Sequence, residues 1–119
     1  MSARILLIDD DEGFLYFAKK ALARANLDVI ESSGYLHALQ TLESPQSIDL
    51  LVTDLFMPKG VNGFALARMA KLRRPHIKLL YVTAFDVSED EADGQILRKP
   101  LSEEDLVREV RIALGESSI

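Results

Sequence analysis

Cysteine is missing from this 119-residue chain. Disulfides, Cys-ligated zinc and thiol catalysis are therefore excluded, and nothing points to an oxidising compartment. No apolar stretch approaches the roughly 20 residues of a membrane-spanning helix. Met1 to Arg4 lead straight into a strand-like run, which leaves no room for a signal peptide. A cytoplasmic protein with no membrane partner is the expectation. Positive charge is also short: 14 Lys and Arg stand against 19 Asp and Glu, a net charge of -5. That balance disfavours a nucleic-acid surface, which needs a basic stripe. Internal repeats, low-complexity tracts and linkers are absent, so residues 1–119 are expected to form one domain.

What is present is apolar residue and unevenly placed acid. Apolar residues make up 48% of the chain, enough for a buried core. Asp9, Asp10, Asp11 and Glu12 are consecutive and directly follow an apolar run, whereas the acids between Ser88 and Asp93 lie in a polar stretch. The first placement suggests a site. The second reads as a solvated loop, or else as a partner-recognition loop.

Apolar runs alternate with amphipathic stretches along the chain. Ile5–Ile8, Asp28–Ser32, Leu50–Thr53, Ile77–Thr83 and Gln95–Leu97 read as strands. Helices are expected over Phe14–Ala25, Gly34–Leu42 and Asn62–Leu72. A last helix opens at Ser102, where Asp105 takes the place usual for Glu in a capping box, and runs to about Leu114 with Gly115 as its C-terminal cap. Continuous apolar strands separated by helices imply an α/β fold with a parallel sheet covered on both faces. Right-handed crossovers leave few topologies, among them the flavodoxin-like order 2-1-3-4-5. Ligands of such sheets bind beyond the carboxyl ends of the strands, here between strands 1 and 3.

Those strand ends carry Asp9 and Asp10, Asp54, Thr83 and Lys99. Three carboxylates in one cleft repel each other, and a hard cation such as Mg²⁺ relieves the repulsion with oxygen ligands. A hydroxyl and an ammonium beside the same cation suit phosphate oxygens.

The ordered set Asp9-Asp10, Asp49 to Asp54, Met57-Pro58, Asn62-Gly63, Thr83-Ala84 and Lys99-Pro100 resembles the response-regulator receiver domain of two-component signalling, over essentially the whole chain. The resemblance implies that Asp54 accepts a phosphoryl group from a histidine kinase or histidine phosphotransferase, or from a small donor such as acetyl phosphate. It implies Mg²⁺ ligation by Asp10, Asp54 and the Phe56 carbonyl, with Asp9 acting through water or from behind the ligands. Lys99 would pair with Asp54 and then with the phosphoryl oxygens, Thr83 would donate a hydrogen bond to them, and the Lys99–Pro100 bond would be cis. The output would be altered binding of a downstream protein, with no conventional enzymatic turnover beyond self-phosphorylation and slow autodephosphorylation. Phe56 and Phe85 fall at positions that flank the acyl phosphate in the family, where they would hinder attacking water.

Three departures from the family pattern stand out. The loop from Leu55 to Asn62 is one residue longer than usual, and Gly60 is expected to absorb the extra residue. Only Ala84 to Asp93 separate strands 4 and 5, so the fourth helix of the family is expected to be short or absent, with Ser88 and Glu91 capping at most one turn. Ile96 stands where many members carry the Tyr or Phe that changes rotamer on activation. Other residues take ordinary roles: Asp11 and Glu12 favour a helix N-terminus, Asp49 starts a strand, and His37 and His76 lie on the surface.

Two alternatives stay open at this point. Asp9 and Asp11 also fit the D-x-D motif of a Mg²⁺-dependent haloacid-dehalogenase-like phosphohydrolase, although a later acidic pair and a cap are lacking. The short crossover and Ile96 also suit a phosphorylation-independent scaffold.

Overall fold

The computed structural model describes residues 3–57 and 62–116. Along the chain run β1 (Arg4–Ile8), α1 (Glu12–Arg24), β2 (Asp28–Ser32), α2 (Tyr35–Glu43), β3 (Leu50–Asp54), α3 (Gly63–Arg73), β4 (Lys78–Thr83), β5 (Gln95–Arg98) and α4 (Glu103–Ala113). All strand pairs are parallel, and the sheet order is β2-β1-β3-β4-β5. This is the flavodoxin-like arrangement expected from the strand pattern. Strand β3 is buried at every position because it lies at the sheet centre with both faces covered.

The alternating side chains of β1 feed two cores. Ile5 and Leu7 pack with α1 and α4 residues such as Leu22, Leu106 and Val110. Leu6 and Ile8 pack on the other face with Ala38, Leu42, Phe64, Leu66 and Ala70 of α2 and α3. Helix α1 buries Phe14, Leu15, Ala18, Ala21 and Leu22 at helical spacing. Phe17 and Ala25 pack on that core while partly buried.

Side-chain caps set the helix starts. The Asp11 carboxylate accepts from the Phe14 N–H, Asn62 from Ala65 and Ser102 from Asp105. The last is half of the expected capping box; the Asp105 carboxylate turns instead to Arg108, at 2.8 Å. At the far end of α4, the Gly115 and Glu116 N–H groups close back on Ile112 and Arg111, and Gly115 has φ 90°.

Residues 84–94 form no helix. The Ser88 hydroxyl accepts from the Asp90 N–H, and Ala92 N–H donates to Glu89, so the segment holds one tight turn. Val87 and Ala92 pack over the core that a helix would otherwise cover. Gly94 brings the segment onto β4 so closely that a Cβ would sit 2.2 Å from the Leu79 carbonyl oxygen. In the long loop, Phe56 forms an antiparallel bridge with Asn62, while Gly60, expected to absorb the extra residue, lies outside the described residues. No helix of the described residues is long and apolar enough to cross a membrane.

Candidate functional site

The parallel register brings the ends of β1, β3 and β4 to one edge of the sheet, with Lys99 one residue beyond β5. Asp9 follows Ile8 and its N–H still donates to the Ser32 carbonyl, as if β1 ran one residue further. Asp54 is the last residue of β3 and Thr83 the last of β4. Lys99 N–H donates to the Thr83 carbonyl at 2.8 Å, which fixes β5's exit beside β4. The Lys99–Pro100 peptide is cis, as expected.

Carboxylate oxygens of Asp9, Asp10 and Asp54 all lie within 4.8 Å of one another. Their exposures differ sharply. Asp9 is fully buried and Asp54 is 7% exposed, while Asp10 faces solvent. Burial raises the Asp9 carboxyl above its ordinary range, against hydrogen bonds from Lys99 and the Asp11 N–H. Burial likewise pushes Asp54 up to about 7, and the neighbouring Asp9 charge adds to the rise. The opposing influences are Lys99 and a long 3.4 Å hydrogen bond from the Phe56 N–H.

A second cation would relieve this crowding. The donors are all oxygen, one of them open to solvent, and the cluster is strongly anionic. That set fits Mg²⁺, which takes one or two carboxylates and keeps several waters. Asp10 and Asp54 are the residues that would hold it, and Phe56, two residues past Asp54, lies on the loop that would lend a backbone carbonyl. Gly63 keeps this corner tight: its N–H donates to Leu55, and a Cβ there would stand 2.3 Å from the Asp54 carbonyl oxygen.

Lys99 does not pair with Asp54 as the resemblance implied. Its ammonium donates to Asp9 Oδ2 at 2.6 Å, and among the described residues no basic group forms an ion pair with Asp54. The reason is physical. A fully buried carboxylate needs a countercharge more than one that reaches solvent. The other Asp9 oxygen accepts from the Asp11 N–H at 2.9 Å, so Asp9 is committed to protein partners.

Thr83 is fully buried and its hydroxyl accepts from the Phe85 N–H at 3.2 Å, which leaves its own O–H to donate. Phe56 and Phe85 meet edge to face with centroids 5.5 Å apart, and both remain about half exposed. Asp49 sits at the opposite end of β3, where its carboxylate accepts from Arg4 N–H, and His37 and His76 are exposed. Two residues outside the set singled out from the sequence touch this region. Phe14 places its ring 4.4 Å from the Lys99 ammonium, and Arg98 bridges Asp86 and the Ala84 carbonyl. Phe14's position on the first turn after Asp9 was the available hint, but only the helix register shows which way the ring turns.

The profile of the response regulator receiver domain matches residues 5–111. The chain is 34% identical over 113 residues to the response regulator receiver protein CpdR of Brucella abortus (strain 2308), covering 90% of this chain and 92% of that one. It is 30% identical over 112 residues to the uncharacterized transcriptional regulatory protein YrkP of Bacillus subtilis (strain 168), covering 89% of this chain but 47% of that one. Among solved structures, a response regulator receiver protein from Sinorhizobium medicae WSM419 superposes with a TM-score of 0.87 at 28% identity, covering 96% of this chain and 95% of that one.

Proposed function

Since the chain belongs to the response regulator receiver domain family, we propose that it is the phosphoacceptor of a two-component system or phosphorelay, with Asp54 as the acceptor. The single observation that carries this reading is the meeting of Asp9, Asp10 and Asp54 within 4.8 Å at the sheet edge. A carboxylate oxygen of Asp54 attacks the phosphorus of a phosphohistidine on a histidine kinase or phosphotransferase. The O–P bond forms as the N–P bond breaks, and the imidazole leaves, taking up a proton. Mg²⁺, when bound by Asp10, Asp54 and the Phe56 carbonyl, supplies neutralisation of phosphoryl charge. Asp9 holds Lys99 within the site, and the Lys99 ammonium then serves the phosphoryl oxygens. The Thr83 hydroxyl donates to one of them. The exposed Phe56–Phe85 pair shields the acyl phosphate from water, which lengthens its life.

A phosphohydrolase with Asp9 as nucleophile is the weaker reading. Asp9 is fully buried with both oxygens bonded, and the Asp11 carboxylate caps α1. Downstream, the phosphorylated chain alters binding of a protein target, in the cytoplasm, as the composition and family suggest.

Intact-mass spectrometry after acetyl phosphate and Mg²⁺ is expected to show one phosphoryl adduct, absent in Asp54→Asn and decaying faster in Phe85→Ala. An undiminished adduct in Asp54→Asn refutes the assignment. No adduct on the unaltered chain, from acetyl phosphate or a phosphohistidine donor, favours the scaffold.

A further inference from the structure

Lys99 carries the only ammonium or guanidinium that bonds any of the three clustered carboxylates among the described residues. Its side chain is 14% exposed, so its charge is held largely out of water. Two groups define where it rests: Asp9 Oδ2 at 2.6 Å and the face of the Phe14 ring at 4.4 Å. Phe14 itself is fixed. It is buried in the α1 and α4 core, its ring packs against Phe17 at 6.1 Å, and its N–H is capped by Asp11. The ring's negative face attracts a cation, most strongly where water is displaced. The acceptor Asp54 has no such ion pair among the described residues.

We infer that Phe14 is a positioning residue: its ring and Asp9 form a resting seat that holds the Lys99 ammonium off Asp54 and sets how readily that ammonium reaches a phosphoryl group there. The inference rests on the proposed acceptor role of Asp54 for its consequence, though not for the seat itself. Burial at this position calls for an apolar residue, not specifically for a ring. What a ring adds is an electrostatic hold on the ammonium, and loosening that hold favours the state in which Lys99 serves the phosphoryl oxygens.

The test keeps the packing and removes the quadrupole. The 119-residue chain is made with Phe14 replaced by phenylalanines of increasing ring fluorination, and Phe14→Leu serves as a second variant. Two quantities are read: the Lys99 Nζ–Hζ correlation in the unphosphorylated protein, and the rate of adduct formation on Asp54 from acetyl phosphate and Mg²⁺. The Nζ resonance is expected to move stepwise with fluorination. The phosphorylation rate is expected to rise in parallel, to about fivefold at full loss of the ring's attraction. An unmoved Nζ resonance overturns the seat. A moved resonance with a flat rate overturns its influence on Lys99's transfer. If no variant and no parent forms an adduct, the proposed function fails, and the Nζ series alone decides whether Phe14 holds Lys99.

Discussion

At the scale of single residues, the site is held in tension by its own charges. Asp54 has an ordinary carboxyl value of 3.8 and is pushed up to about 7 in the fold, first by burial and then by Asp9. Between those limits the folded state keeps a proton that the unfolded chain has released. Stability from this group therefore falls as pH rises through the window and is greatest below it. Asp9 is raised too, so its contribution has the same sign. Asp54→Asn mimics the protonated group. In chelator, it is expected to melt about 4 °C higher than the parent at pH 8, from about 1 kcal/mol of relieved repulsion and burial. Near pH 4 the two melts are expected to converge. Equal melting of both proteins at pH 8 would mean that the clustered carboxylates do not oppose folding.

At the scale of elements, the segment between β4 and β5 does the work of a helix with side-chain tethers. The Tyr81 hydroxyl, in a ring packed edge to face on Phe64, accepts from the Asp93 N–H at 3.3 Å. Arg68 of α3 reaches Glu91 at 3.2 Å, and Arg98 of β5 reaches Asp86 and Ala84. The ion pairs are exposed and each is worth little. The phenol is buried, and its loss leaves the Asp93 N–H without that partner. Tyr81→Phe is expected to cost about 1 kcal/mol and to speed amide exchange at Asp93 selectively. Unchanged exchange there would show that Val87 and Ala92 alone anchor the segment. The shortness of this crossover was legible in the sequence because only Ala84 to Asp93 stand between two strand signals. Its tethers were not, because Tyr81 reads simply as one more apolar strand residue.

At the scale of the whole molecule, two strand ends far apart in sequence supply the three carboxylates of one anionic cleft. A ligand that binds only the assembled cleft stabilises the fold by mass action. Mg²⁺ at millimolar concentration is expected to raise Tm in thermal scans at neutral pH, by an amount that grows with its concentration. Asp10→Asn is expected to abolish most of that gain while melting no lower than the parent in chelator, since it removes one of three like charges. A Mg²⁺ response that survives the substitution would place the cation elsewhere. The same scale limits what transfers from relatives: the chain spans 92% of the Brucella protein but about half of the Bacillus regulator.

The sheet, its order and the carboxyl-end placement of Asp9, Asp10, Asp54, Thr83 and Lys99 were legible along the chain. Apolar period, the cap at Ser102 and right-handed crossovers are local or topological rules that a linear pattern obeys. Which acid Lys99 serves, where Phe14's ring turns, and how residues 84–94 are held without a helix emerge only once the elements pack together. Those outcomes depend on relative burial and on distances between side chains from different elements, as between positions 9 and 99, and no spacing along the chain encodes them.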